Sequence, residues 1–123
     1  MLGSILIIDD DNDIRETFAE ALRMVGYEVH TAPEGKTALE LLGAVTPPCL
    51  ILLDLMMPTM NGEEFRRQQL TSPVLSKIPV VLITADRHAH QKALSLGVAE
   101  GLSKPIDFEA LSDIARKYCG EAG

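Results

Sequence analysis

Three runs of this chain, Ile5-Leu6-Ile7-Ile8, Leu50-Ile51-Leu52-Leu53 and Val80-Val81-Leu82-Ile83, are apolar at every position. A strand with one face in water alternates apolar and polar residues, so a strand apolar throughout must be covered on both faces. Between these runs lie segments whose apolar residues recur at helical spacing. Residues 11–25 place Ile14, Phe18, Leu22 and Val25 on one face and stop at Gly26; residues 34–42 do the same with Ala38, Leu41 and Leu42 before Gly43. Residues 61–70 are anchored by Phe65 with Arg66, Arg67, Gln68 and Gln69 outside, residues 88–96 stop at Gly97, and the last helix aligns Leu111, Ile114, Ala115 and Tyr118. Residues 27–32, alternating like an edge strand, and a short strand at 100–103 complete five strand–helix alternations. The expected fold class is α/β, a doubly wound parallel sheet with helices on both faces.

At 123 residues the chain is expected to form one domain spanning 1–123. No apolar run reaches membrane-spanning length and the start lacks the layout of a signal peptide, so the expected location is the cytoplasm, with no membrane partner. A net charge of −7 disfavours direct contact with nucleic acid. Cys49 and Cys119 show no metal-ligand spacing and read as free, inert thiols.

Ligands of open parallel sheets bind beyond the carboxyl ends of the strands. In this chain those ends read Asp9-Asp10, Asp54, Thr84 and Lys104-Pro105. Three converging carboxylates repel one another unless a cation sits among them. Hard oxygen donors suit Mg²⁺, with Mn²⁺ as a substitute, and a cation of this kind also binds phosphate oxygens. Asp10 and Asp54 read as direct ligands and Asp9 as one acting through water. Asp54 also reads as a nucleophile able to take a phosphoryl group as an acyl phosphate. The Lys104 ammonium and the Thr84 hydroxyl would offset charge on the transferred oxygens. Pro105 restricts the backbone of Lys104 and so the direction of its side chain. Asp11 and Asp13 fall in the first turn of a helix, where acids cap N–H groups. His88 and His90 are two apart and make a poor metal pair, His30 belongs to the edge strand, and none reads as catalytic.

Four segments in order, Ile7-Ile8-Asp9-Asp10-Asp11, Leu53-Asp54-Leu55-Met56-Met57-Pro58-Thr59-Met60-Asn61-Gly62, Val81-Leu82-Ile83-Thr84-Ala85-Asp86 and Ser103-Lys104-Pro105, give the chain a close resemblance to the receiver domain of two-component response regulators. The resemblance covers essentially the whole length. It implies a flavodoxin-like (βα)5 fold with strand order 2-1-3-4-5. It implies that Asp54 accepts a phosphoryl group from the phosphohistidine of a histidine kinase or phosphotransfer protein. Mg²⁺ would be held by Asp9, Asp10, Asp54 and the Met56 carbonyl. Backbone N–H groups near Met56 and Ala85 would meet the phosphoryl oxygens, and Met56 and Asp86 would modulate how quickly water reaches them. Pro58, Gly62 and Pro105 would be structural, with the Lys104–Pro105 peptide cis. The output would pass to a downstream protein partner or to an output domain outside these residues, and the chain would catalyse only its own phosphorylation and dephosphorylation.

One position departs from the family. Three residues before Lys104 most receivers have a Tyr or Phe that moves with the residue matching Thr84; here stands Gly101. Switching is therefore expected to rely on the loop after Thr84 and on the fourth helix. Two other functions compete. A Mg²⁺-dependent phosphohydrolase would use Asp9 as nucleophile and Asp11 as general acid. An unphosphorylated receiver-like module would act by contact alone. A dinucleotide site is excluded by the lack of a Gly-x-Gly-x-x-Gly turn after the first strand.

Overall fold

A computed structural model of the chain describes residues 3–55 and 60–120. The apolar runs form a single sheet of β1 (Ser4–Ile8), β2 (Glu28–Ala32), β3 (Leu50–Leu53), β4 (Val80–Thr84) and β5 (Glu100–Ser103). All pairs are parallel and the order is β2-β1-β3-β4-β5, as the resemblance implied. Helices α1 (Asn12–Met24), α2 (Gly35–Leu42), α3 (Gly62–Leu70), α4 (Ala89–Leu96) and α5 (Phe108–Cys119) alternate with the strands.

Alternation along each strand divides the core in two. Ile5, Ile7, Leu50, Leu52, Val81 and Ile83 face α1 and α5, meeting Ala19, Leu22, Leu111, Ile114 and Ala115. Leu6, Ile8, Ile51, Leu53, Val80 and Leu82 face the other layer, meeting Ala38, Leu42 and Phe65. Both faces of the three central strands are therefore dry, which is why their sequences do not alternate.

Helix starts agree with their residues. The Asp11 carboxylate accepts from the N–H groups of Asp13 and Ile14, Asn61 accepts from Glu64 and Asp107 from Ala110. A 3₁₀ turn at Leu75–Lys77 has no periodic signal in sequence. The wholly buried Gln69 side chain fixes it, donating to the carbonyls of Leu75 and Ile78. No helix among the described residues is long and apolar enough to cross a membrane.

The reading of two free thiols is corrected. Cys49 and Cys119 form a disulfide across a sequence separation of 70 residues. Cys49 stands just before β3 and Cys119 ends α5, and both of those ends lie at the foot of the sheet, opposite the carboxyl ends of the strands. Sequence spacing could not show this, because the return direction of α5 is a property of the fold.

Candidate functional site

Register brings the acids together. Ile8 is paired with Leu53 and Leu53 with Leu82, so the residues that follow, Asp9 and Asp54, leave the sheet side by side. The Asp54 N–H donates to the Ile8 carbonyl at 2.9 Å and the Asp9 N–H to the Ala32 carbonyl at 3.2 Å, extending the ladders by one residue. At the other side, Thr84 is paired with Ser103, and the Lys104 N–H donates to the Thr84 carbonyl at 2.7 Å.

Asp9 and Asp54 are buried, at 3% and 5% exposure, while Asp10 faces solvent. Each of the three carboxylates offers an oxygen within 4.8 Å of the others. Two buried acids and one exposed acid, all hard oxygen donors, fit a divalent cation that keeps part of its water.

One cation already belongs to the protein. Lys104 Nζ donates to Asp9 Oδ2 at 2.8 Å and lies 3.7 Å from Asp54 Oδ2. Burial acts against the Lys104 charge, but the hydrogen bond to Asp9 and the charges of Asp54, Asp9 and Asp11 outweigh it and raise its pKa. The other Asp9 oxygen accepts from the Asp11 N–H at 2.9 Å, and the Arg15 guanidinium donates to the Asp9 carbonyl. Asp9 is thus held at both carboxylate oxygens and at its backbone. The Arg15 contact has no sequence signal, since it depends on the rotation of α1.

Thr84 is wholly buried, and its Oγ1 accepts from the Asp86 N–H at 3.3 Å. Asp86 in turn accepts from the His88 N–H at 2.7 Å, and its carbonyl accepts from the Ser103 hydroxyl. A chain of hydrogen bonds therefore links Thr84 to the start of α4. Ala85 is exposed beside this chain. An open apolar hollow lined by Ile14, Phe18, Ala85, Pro105 and Ile106 adjoins Lys104.

Gly62 packs directly against the residues that end β3. A Cβ there would stand 2.6 Å from the Asp54 carbonyl oxygen and 2.8 Å from Leu55 Cα, so only glycine allows this approach. The Lys104–Pro105 peptide is cis. Met56 and Pro58, named in the sequence reading as a carbonyl ligand and a structural proline, lie outside the described residues.

Gly101 has a reason of its own. A Cβ at this position would lie 2.2 Å from the Ala89 carbonyl oxygen and 2.8 Å from Ala93 Cβ. The backbone of α4 occupies the space that a side chain at 101 would need.

Known proteins bear on this arrangement. The family model described as Response regulator receiver domain matches residues 5–116. Response regulator PleD of Caulobacter vibrioides is 40% identical over 109 residues, covering 87% of this chain and 24% of PleD. The probable transcriptional regulator ycf27 of Galdieria sulphuraria is 37% identical over 121 residues, covering 94% of this chain and 44% of its own length. The chain spans about a quarter to about half of the length of such curated relatives. Among solved structures, Vibrio cholerae chemotaxis protein CheY4 superposes with a TM-score of 0.86 at 27% identity, covering 96% of this chain and 99% of that one.

Proposed function

This chain belongs to the response regulator receiver family, and from that premise we propose that Asp54 is its phosphoryl acceptor. The class is a phosphoacceptor domain of a signalling switch. The observation that best supports Asp54 as the acceptor is the meeting of Asp9, Asp10 and Asp54 at one sheet edge with Lys104 between two of them.

In this reading the Asp54 carboxylate attacks the phosphorus of a phosphohistidine, and the histidine nitrogen leaves as the acyl phosphate forms. Lys104 meets an oxygen of the transferred group from its place 3.7 Å from Asp54 Oδ2. Thr84 accepts from Asp86, which leaves its hydroxyl proton to donate to a second oxygen. The N–H groups of Ala85 and Met56 would donate to the remaining oxygen, and Met56 and Asp86 would modulate how quickly water reaches the phosphorus.

Asp9, Asp10 and Asp54, with the Met56 carbonyl, would hold Mg²⁺ or Mn²⁺. When bound, such a cation offsets the negative charge of the acids and of the phosphoryl oxygens.

The donor would be a histidine kinase or phosphotransfer protein, and the apolar hollow beside Lys104 offers it a surface next to the acceptor. Output would go to a downstream protein or to an output domain. The 123 residues act as one domain and catalyse only their own phosphorylation and dephosphorylation. The phosphohydrolase reading is not favoured, because the family model that matches residues 5–116 is that of a response regulator receiver domain.

The test is transfer from a radiolabelled phosphohistidine donor, followed by borohydride reduction of the acyl phosphate. Label in the wild type, none in Asp54→Asn, and homoserine at position 54 are expected. Homoserine at position 9 would contradict the assignment and favour the phosphohydrolase; absence of any label would favour a contact module.

A further inference from the structure

We propose that Cys49 and Cys119 form a reversible thiol–disulfide site, whose co-reactant is a low-molecular-weight disulfide/thiol couple and whose state decides whether the end of α5 is fastened to the foot of the acceptor strand. The proposal stands apart from the assignment of Asp54.

The two sulfurs are bonded, with the Cα atoms 5.4 Å apart. The surroundings accommodate the bond. Gly3 leans against it so closely that a Cβ there would stand 2.9 Å from Cys49 Sγ. The Cys49 N–H donates to the Ser4 carbonyl, and Cys49 Sγ lies 3.1 Å from that same oxygen. On the helix side, the residue after Cys119 is held by the Tyr27 hydroxyl, which donates to the Gly120 carbonyl.

Access distinguishes this bond from one sealed in a core. Both cysteines are only partly buried, whereas their neighbours Leu50 and Ala115 have 0% and 1% exposure. A disulfide at the rim of the core can be reached by a small thiol, and exchange requires that in-line approach.

The chemistry balances without a protein catalyst. In the reduced chain the exchange starts at Cys119 once its thiol has lost its proton. Cys119 attacks one sulfur of the small disulfide, forming a mixed disulfide and expelling one thiolate. Cys49, losing its proton, then attacks the Cys119 sulfur and expels the second. The chain loses two thiol protons and two electrons, and one small disulfide becomes two small thiols.

The consequence falls on α5. Its first turn follows the Lys104-Pro105 loop at the acceptor end of the sheet, and its last turn carries Cys119 at the foot. Reduction leaves the buried face of Leu111, Ile114 and Ala115 in place and removes the covalent tether from the last turn. That turn then opens more often, exposing the end of α5.

The experiment equilibrates the wild-type protein in glutathione buffers of graded thiol-to-disulfide ratio, quenches with acid, alkylates, and reads intact mass alongside hydrogen exchange of residues 115–120. A single transition is expected between a form with two alkylated cysteines and one with none. Exchange in the last turn of α5 is expected to be at least about tenfold slower in the disulfide form. Two alkylated cysteines at every ratio, a disulfide that resists every ratio, or equal exchange in both forms would overturn the proposal. Cys119→Ser is expected to exchange like the reduced wild type at any ratio. The wild-type titration decides the matter even if that variant folds poorly.

Discussion

Asp9 has one carboxylate and two uses for it: the Lys104 ammonium holds one oxygen, and the acid cluster would share the same group with a cation. In the proposed function Lys104 would therefore be both a partner for the phosphoryl group and a competitor for the metal. Lys104→Ala is expected to bind Mg²⁺ more tightly by calorimetry, because a positive charge leaves the cluster. The same variant should accept a phosphoryl group about 10²-fold more slowly, the usual scale for removing one group that stabilises developing charge. Unchanged metal affinity would contradict the competition. Gly62→Ala puts a methyl 2.6 Å from the Asp54 carbonyl oxygen, and the loop must move to admit it. An unfolding free energy lower by about 1–3 kcal/mol is expected in denaturant titrations. At this scale the sequence disclosed which residues sit at strand ends, because each apolar run stops abruptly at a polar residue. It did not disclose Arg15 on the Asp9 carbonyl or the Asp11 N–H on its side chain, which depend on how α1 leaves the strand.

The elements near β5 show what the departure at Gly101 means. The absent aromatic is not a deletion that a ring could repair, because the Ala89 carbonyl already fills the position. Gly101→Ala is expected to shift α4 and cost about 1–3 kcal/mol, with amide shift changes along Ala89–Leu96; amides that stay put would show that the contact yields without moving the helix. Thr84, Asp86 and the His88 N–H form a chain of hydrogen bonds from the end of β4 to the start of α4 that involves no aromatic ring. On the other side of β5, Glu100 accepts from Lys117 and Tyr118 of α5. The hydrogen bonds from Lys117 and then Tyr118 hold its carboxyl below the usual 4.5 despite some burial. A depressed folded pKa stabilises the protein above the unfolded value and is lost as pH falls through the folded one. Glu100→Gln should therefore flatten the acid limb of the stability–pH curve, and an unchanged slope below pH 4.5 would show that the tie contributes nothing. The sequence located the five strands and the first four helices to within a residue or two and placed the last helix by its apolar face of Leu111, Ile114, Ala115 and Tyr118 without bounding it. It was silent on the turn at Leu75–Lys77, which rests on the side chains of Gln69 and Ser72.

For the molecule as a whole, one parallel sheet places the cluster of Asp9, Asp10 and Asp54 at its carboxyl edge and a covalent staple at its opposite edge. The sheet was legible because Ile5–Ile8, Leu50–Leu53 and Val80–Ile83 cannot be half exposed. The staple was not, because a separation of 70 residues says nothing about which ends of which elements meet. A cross-link over a loop of that length is worth about 4 kcal/mol by chain entropy. Reduction is expected to lower the denaturant midpoint accordingly, and equal midpoints for the two forms would show that the bond leaves the unfolded chain unconstrained. The most direct test of the account is the intact mass of the protein after incubation with acetyl phosphate, with and without Mg²⁺, for wild type and Asp54→Asn. One phosphoryl adduct that requires both Mg²⁺ and Asp54 is expected. An adduct that forms on Asp54→Asn, or none on the wild type, would contradict it.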